Sequence, residues 1–136
     1  MKTILIDLNI ILDFLEDRDG GGKAGELFAK CYRREIKGYV CAHEITTLSY
    51  YLRKLHKNRI ENMKIISRIL KIFDIIEINK TCLEKAILSN IADFEDAVIV
   101  ESAKAKRIGC IVTRNIRDFK NSPIPAMLPE EYLARK

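Results

Sequence analysis

The stretch Lys2-Thr-Ile-Leu-Ile-Asp7-Leu-Asn9-Ile-Ile-Leu-Asp13 joins a short aliphatic run to a carboxylate and then to a helical pattern. Residues 3–7 have the β-branched and aliphatic composition of a buried strand. From Asn9 to about Asp17 the apolar positions fall on one helical face. A buried strand that ends at Asp7 places this carboxylate at the carboxyl edge of a parallel sheet, where open α/β folds bind their ligands.

The rest of the chain repeats this alternation of strand and helix patterns, which is typical of a parallel sheet covered on both faces. The glycine run within 17–22 is expected to interrupt the chain, and Gly38 is expected to end the second helix. The predicted strands are 3–7, 39–42, 74–78 and 109–113, with a short edge strand at 124–127. The predicted helices are about 9–17, 24–36, 43–55 (inner face Ile45, Leu48, Tyr51, Leu52 and Leu55), 60–73, 80–92 and 94–106, with a last turn from Pro129.

Composition describes an ordinary globular chain. Its 136 residues are 48% hydrophobic and 32% charged, which is sufficient for one domain spanning residues 1–136 with its own core. No apolar run reaches the roughly 18 residues of a membrane helix, and the first residues lack the pattern of a secretory signal. We therefore expect a cytoplasmic protein without a membrane span.

The four cysteines lie at positions 31, 41, 82 and 110, without a C-x-x-C pair and without a histidine at ligand spacing. A structural zinc site requires clustered soft ligands. Reduced and mostly buried thiols are therefore the better interpretation.

The chain is basic, with a formal net charge of +5 and basic clusters at 30–34, 53–59, 104–107 and 114–120. Such a body attracts a polyanion by long-range electrostatics. Solvated helix faces explain any single cluster equally well. Charge alone leaves both interpretations open.

Three acidic or polar clusters follow apolar segments or open helices: Asp7-Leu-Asn9, Asp93-Phe-Glu95-Asp96, and Thr113-Arg114-Asn115 with Asp118. In a parallel sheet, the first and fourth predicted strands end at the same edge. Carboxylates gathered there repel one another unless a cation lies among them, and hard oxygen ligands suit Mg²⁺ or Mn²⁺. A divalent ion in such a site activates water and neutralises charge on a phosphodiester.

Each cluster also has a purely structural explanation. Asp7 is placed to cap the helix that follows it. Asp93 and Asp96 have the spacing of an N-cap and the acid three residues on. Asn115 and Asp118 fit turn chemistry. The spacing of any one cluster leaves these alternatives open.

The combination of motifs carries a family resemblance. The segment from Ile6 to Asp13 resembles the opening D-x-N segment of PIN-domain nucleases. The segments 93–99 and 111–119 resemble the second half of that family. The middle segment 42–54 is similar to the branch that includes many bacterial VapC-like toxins. These segments occur in the expected order over nearly the whole chain.

The resemblance implies a three-layer α/β/α domain with a short, mainly parallel sheet, and metal-dependent cleavage of RNA. Carried over by position, Asp7 and Asp96 would be ligands of Mg²⁺ or Mn²⁺. Asp118 would be a third catalytic acid, and Glu44, which does not match the family pattern, is the candidate for the fourth. The residues that would orient the site or bind substrate are Asn9, Asp93, Thr113, Arg114 and Asn115.

One position departs from the family pattern. The family usually has a glutamate three residues after the threonine that matches Thr46, and here that position is Ser49. Glu44, at the start of the same helix, is the candidate replacement. Without a replacement the site would lack one carboxylate, and the fold would then serve as a catalytically degenerate RNA-binding or protein-interaction module.

The leading hypothesis is a metal-dependent endoribonuclease that acts as the toxin of a type II toxin–antitoxin pair. It implies a small antitoxin protein over the acidic edge and a homodimer formed through the early helices. Tyr50 or Tyr51 is a candidate for stacking on an RNA base, although core or rim positions are the favoured explanation for both. A structure-specific DNA nuclease is a weaker alternative, because the chain lacks room for insertions that would clamp branched DNA.

Overall fold

The computed structural model describes residues 2–17, 21–56 and 58–135. This part of the chain contains five strands and seven α-helices, and two helices follow each of the first three strands. The strands are β1 (Thr3–Ile6), β2 (Lys37–Cys41), β3 (Asp74–Ile76), β4 (Cys110–Val112) and β5 (Ala126–Met127). The helices are α1 (Leu8–Leu15), α2 (Gly21–Tyr32), α3 (Ala42–His56), α4 (Arg59–Ile72), α5 (Lys80–Ile87), α6 (Phe94–Ala105) and α7 (Pro129–Leu133), and a 3₁₀ turn spans Ile116–Phe119.

The strands form one parallel sheet in the order β3-β2-β1-β4-β5, so the first strand of the chain lies in the middle. Ile4, Leu5 and Ile6 are fully buried because β1 is covered on both faces. Ile4 and Ile6 pack into the core beneath α1, α2, α3 and α4, whereas Leu5 packs into the core beneath α5 and α6. The predicted α/β fold with helices on both faces is confirmed.

The predicted interruption within 17–22 is wrong at its carboxyl end, because α2 begins at Gly21 and includes Gly22. Residues 18–20 lie outside the described residues. Glycine is a poor helix former, at about 1 kcal/mol relative to alanine. Burial of Leu27 and Phe28 on the same helix offsets that cost.

Gly38 was predicted to end the second helix, but it lies inside β2. The helix ends at Tyr32, and Arg34 adopts the left-handed conformation with φ of 62°. At Gly38, a Cβ atom would come within 2.8 Å of Cys31 Sγ and of Phe73 Cδ1. The absence of a side chain therefore lets the α2 layer and the end of α4 approach the strand closely.

The predicted inner face of α3 is too wide. Leu48 and Leu52 are fully buried, but Tyr51 and Leu55 are 42% and 46% exposed. Tyr50 is exposed as well, and its ring packs edge-on against that of Tyr51 with centroids 5.8 Å apart. A helix that packs along one narrow seam buries one residue in each turn and leaves the flanking apolar positions in water.

All four cysteines are free and buried, as the composition indicated. Burial raises the pKa of Cys31 and Cys41 to about 12 and that of Cys110 to about 11. These thiols are therefore inert as nucleophiles at neutral pH. Among the described residues, no helix combines the length and apolar character that a membrane crossing requires.

Candidate functional site

Two strand ends meet at the carboxyl edge of the sheet. β1 and β4 pair in register at Ile6 and Val112, so the residues that follow them, Asp7 and Thr113, become neighbours. The Asp7 N–H donates to the Val112 carbonyl at 2.9 Å. The hydroxyl of Thr113, which is fully buried, donates to Asp7 Oδ2 at 2.8 Å. The aspartate and the threonine thus meet where the sequence predicted, although 106 positions separate them.

Asn9 joins the two segments from the first turn of α1. Its Nδ2 lies 3.2 Å from Asp7 Oδ2 and 3.4 Å from Thr113 Oγ1. Its Oδ1 accepts from the N–H of Arg114 at 3.2 Å. The Thr113 hydroxyl also accepts from the N–H of Asn115 at 3.0 Å. The Asp7 carboxylate is therefore held in one orientation by groups from both segments.

The capping interpretation of Asp7 is wrong. Asp7 occupies the N-cap position of α1, but its side chain makes no capping hydrogen bond. The first N–H of the helix, that of Leu8, donates instead to Glu44 Oε2 at 2.8 Å. Glu44 thus caps α1 in place of Asp7, and the Asp7 carboxylate is bound by Thr113 and Asn9 instead.

Glu44 lies in the interior beside Asp7. It is 1% exposed because α3 begins immediately after β2 and its first turn sits against the carboxyl edge of the sheet. Burial, reinforced by the charge of Asp7, raises the pKa of Glu44 well above its usual range. Its second oxygen, Oε1, has no hydrogen-bond partner among the described residues.

Asp96 belongs to an acidic cluster whose members act on one another electrostatically: Asp7, Glu44, Asp93, Glu95, Asp96 and Asp118. Asp96 lies in the first turn of α6 and is half-buried. Burial raises its pKa to about 7, helped by the charges of Asp93, Asp7, Asp118 and Glu95, in that order. Four carboxylates from three segments of the chain therefore act on one acid.

Asp93 caps α6 as the sequence spacing suggested, with Oδ1 accepting from the Asp96 N–H at 3.0 Å. Its capping bond and its place in the acidic cluster are compatible, since its charge still acts on Asp96. Glu95, which the sequence placed in the acidic segment 93–96 but to which no site role was assigned, is also a member of the cluster. Its charge raises the pKa of Glu44 and of Asp96. The available signal was its place between two acids at the start of a helix.

Arg114 and Asp118 lie at the rim. The guanidinium Nε of Arg114 lies 3.1 Å from Oδ2 of Asp13, a buried acid of α1 that the sequence reasoning quoted but gave no role. Asp118 is exposed on the 3₁₀ turn, whose first residue, Ile116, follows Asn115. Arg114, Asn115 and Asp118 line an open cavity of about 670 Å³, together with Ile116, Arg117 and Leu128.

Ser49, at the position where the family usually has a glutamate, is not part of this cluster. It lines a different cavity, between α3 and α4, with Arg59 and Asn62. The structure therefore brings Glu44, rather than position 49, next to Asp7.

A sequence model of the PIN domain matches residues 3–117. The chain belongs to the PIN-domain family. Its fold resembles that of a chain in the VapBC2 complex of Rickettsia felis bound to a promoter DNA fragment, with 21% identity, a TM-score of 0.68, and coverage of 92% of this chain and 96% of the other. No curated protein matches by sequence.

Two further solved structures share this PIN fold. A chain of a toxin–antitoxin complex from Klebsiella pneumoniae is 21% identical with a TM-score of 0.67, covering 93% of this chain and 97% of that one. A chain of the DNA-bound VapBC complex of Salmonella typhimurium is 13% identical with a TM-score of 0.64 and the same coverage. At these identities the likeness concerns the fold, and the expected PIN architecture is confirmed.

The donor chemistry of this PIN domain suits a hard divalent cation. In the part of the chain that the structure describes, no three His, Cys, Asp or Glu side chains are already arranged as a metal site. The cluster nevertheless offers only carboxylate oxygens, which Mg²⁺ and Mn²⁺ prefer. One of these oxygens, Glu44 Oε1, is buried without a hydrogen-bond partner among the described residues, and the charge of Asp7 adds to burial in raising the pKa of Glu44 and of Asp96. A cation would relieve both conditions.

Proposed function

We propose that this PIN domain is a metal-dependent endoribonuclease and the toxin of a type II toxin–antitoxin pair. The observation that carries the proposal is the convergence of Asp7, Glu44 and Asp96 at the carboxyl edge of the sheet, where the charge of Asp7 adds to burial in raising the pKa of both Glu44 and Asp96. Membership of the PIN family and a fold shared with chains of toxin–antitoxin complexes support it.

Asp7 and Asp96 would hold Mg²⁺ or Mn²⁺, with Glu44 beside them. The bound cation would supply an activated water and neutralise charge on the phosphodiester. Since the side chains are not already arranged as a complete metal site among the described residues, ion binding is expected to involve side-chain rotation. Half-buried Asp96 has the freedom to rotate, whereas Asp7 is fixed by Thr113.

The protein's own groups prepare the site. The hydroxyl of Thr113 and the amide of Asn9 both donate to Asp7 Oδ2, which fixes the orientation of the carboxylate. Glu44 holds the start of α1 through the Leu8 N–H, so helix and acid keep a fixed relation. Preorganised oxygens of this kind avoid reorganisation during the reaction.

The rim supplies positive charge for the RNA backbone. Arg114 is oriented by the buried Asp13, and this ion pair engages only part of its five N–H donors. Arg117 lines the same open cavity, next to Asn115 and Asp118. A phosphate in this cavity would meet two guanidinium groups beside the acidic cluster. The net charge of +5 would steer RNA to the protein.

The proposal includes partners and a compartment. A small antitoxin protein would cover the acidic edge and the rim cavity, and a homodimer would form through the early helices. Both would operate in the cytoplasm, where RNA substrates are found. Co-purification with the product of a neighbouring gene and a dimeric mass by light scattering are the expected observations.

The test is a cleavage assay with structured and single-stranded RNA. We expect cleavage with Mg²⁺ or Mn²⁺ and none with a chelator. Asp7→Asn and Asp96→Asn should each lower the rate by roughly 10²-fold or more, the scale on which a site loses an electrostatic group. Asp17→Asn, which changes an exposed aspartate of the same chain, is the matched control. Undiminished cleavage by both site variants would refute the assignment.

Two observations favour a second candidate function. Among the described residues the acids do not form a ready-made metal site, and Ser49 lies outside the cluster. A catalytically degenerate PIN fold that binds RNA or a protein would have these properties. RNA binding with micromolar affinity or better, without any metal-dependent cleavage, would favour this module over the enzyme.

A further inference from the structure

A second cavity lies outside the acidic cluster, between α3 and α4. It has a volume of about 410 Å³ and is lined by Ser49, Arg53, Arg59, Asn62 and Met63. Ser49 and Arg53 are one turn apart on α3, and the other three residues belong to the first turns of α4. None of these described lining residues is acidic. The volume falls in the range of small-molecule sites, about 300–1,000 Å³.

Asn62 is the decisive residue of this cavity. It is 1% exposed, and neither its Oδ1 nor its Nδ2 has a hydrogen-bond partner among the described residues. Buried polar groups are nearly always hydrogen-bonded. By contrast, Asn58 and Asn79 accept backbone N–H groups as helix caps. A buried amide without a partner that lines a cavity between two arginines has the properties of an unfilled binding group.

The chemistry of the lining indicates the ligand. Two guanidinium groups bind the oxygens of a phosphate. The Asn62 amide offers one acceptor and two donors, which matches the edge of a nucleobase, as in the pairing of asparagine with adenine. Met63 adds a polarizable apolar surface against which a base can pack.

We propose that the α3–α4 cavity binds one nucleotide of the RNA strand, with Arg53 and Arg59 on its phosphate and Asn62 on the edge of its base. This subsite rests on the proposed function, because it assigns a binding role to the same RNA substrate. It would make Asn62 a determinant of base preference at a position away from the cut.

An acidic side chain of a protein partner suits the cavity less well. A carboxylate only accepts hydrogen bonds, so it would satisfy the arginines and Asn62 Nδ2 but leave the buried Oδ1 without a donor. A nucleobase edge supplies both a donor and an acceptor. The pairing needs of Asn62 therefore favour a nucleotide over a carboxylate or a free phosphate.

The position of the cavity agrees with a shared strand. Glu44 and Ser49 lie on the same helix, five residues apart, so Ser49 is about 7–8 Å farther along the helix axis at about 1.5 Å per residue. At 3.6 residues per turn, the two side chains also point in directions about 140° apart around α3, so an RNA strand that occupies both places must pass around the helix and span several nucleotides. A dinucleotide that ends at the cut would be too short to reach it.

The test uses the four ribonucleoside monophosphates and inorganic phosphate as probes. Each is titrated into the metal-free protein, with binding followed by the backbone amide NMR signals of α3 and α4. We expect nucleotides to bind at least tenfold more tightly than phosphate, with one base preferred. Asn62→Leu should abolish the preference without lowering the melting temperature, because it removes a buried amide that lacks partners. A purely structural asparagine would instead lose stability on replacement.

The charge variants keep the proposal testable if Asn62→Leu does not fold. Arg53→Gln and Arg59→Gln should each weaken the binding of all four nucleotides by a similar factor. Arg68→Gln, at an exposed position farther along α4, removes the same charge and should bind as the parent does. Equal nucleotide binding by all three variants would overturn the assignment, as would binding of an acidic peptide by a protein that binds no nucleotide.

RNA cleavage separates this subsite from the proposed function. In a cleaving protein, Asn62→Leu should change the relative kcat/KM among RNA sequences, whereas Arg68→Gln, outside the cavity, should leave these ratios as in the parent. Nucleotide binding in the cavity without any metal-dependent cleavage would support the subsite and refute the nuclease. Cleavage with no nucleotide bound in the cavity would refute the subsite and leave the nuclease standing.

Discussion

Replacing Asp96 by asparagine should stabilise the metal-free protein at alkaline pH. The pKa of Asp96 is raised from 3.8 to about 7 in the folded state. Between these values the folded protein holds a proton that the unfolded chain has released. The stability that this bound proton contributes to the folded state is therefore present at low pH and is lost as the pH rises toward about 7.

The size of the effect follows from the shift. At about 1.36 kcal/mol per pKa unit, the full shift would correspond to about 4 kcal/mol. Asp96 is only half-buried, so screening by water reduces the expected cost of its charge to about 1–2 kcal/mol. Because asparagine carries no charge, Asp96→Asn should be more stable than the parent by this amount at pH 8 and nearly equal to it at pH 4.

The assay is urea unfolding in the presence of a chelator at pH 4, 6 and 8, repeated with Mg²⁺ at pH 8. Magnesium should stabilise the parent, since an ion that binds only the native state adds to its stability. It should stabilise Asp96→Asn much less. Glu84→Gln, at an exposed position within α5, removes one negative charge away from the cluster and should follow the parent under every condition. A variant that is less stable than the parent at pH 8 without metal, and equally responsive to Mg²⁺, would refute the reasoning.

Three further predictions concern the framework around the site. Thr113→Val should lower the free energy of unfolding by about 1–3 kcal/mol and weaken Mg²⁺ binding, because the buried hydroxyl donates to Asp7 and accepts from the Asn115 N–H. Thr113→Ser should retain most of the stability and most of the Mg²⁺ affinity. Urea unfolding measures the first quantity and calorimetry the second. Gly38→Ala should destabilise the fold by about 1–3 kcal/mol, since the new Cβ would lie 2.8 Å from Cys31 Sγ and Phe73 Cδ1; an unchanged urea midpoint would contradict this packing. The four buried cysteines should react with a thiol reagent only at the rate of unfolding, and fast labelling of the native protein would contradict their burial.

Much of the site was predictable because it depends on strand ends. A buried strand followed by an acid, and a later strand followed by a hydroxyl, meet in any parallel sheet that pairs the two strands. The sequence could therefore bring Asp7 and Thr113 together without knowing the rest of the structure. It also admitted Glu44 as a candidate, since the helix start lies directly after β2.

The remaining features depend on tertiary packing. The Arg114–Asp13 ion pair joins residues that have no relation in the sequence, and only the fold places α1 beside the β4 end. Hydrophobic periodicity marked the stripe of α3 but could not give its width, so Tyr51 was assigned to the inner face. Asn62 reads as an ordinary polar residue of a helix, and only the packing of α3 on α4 shows that it is buried.

The central place of β1 has a consequence for the order of events during synthesis. β1 leaves the ribosome first, yet its neighbour β4 and the Thr113 hydroxyl follow about 106 positions later. At roughly 5–20 residues per second, that delay is about 5–20 seconds. Such distant pairings also form late in folding, because the loop between them must close first. The acidic cluster on which the proposed nuclease activity depends is therefore completed only after most of the chain has been synthesised.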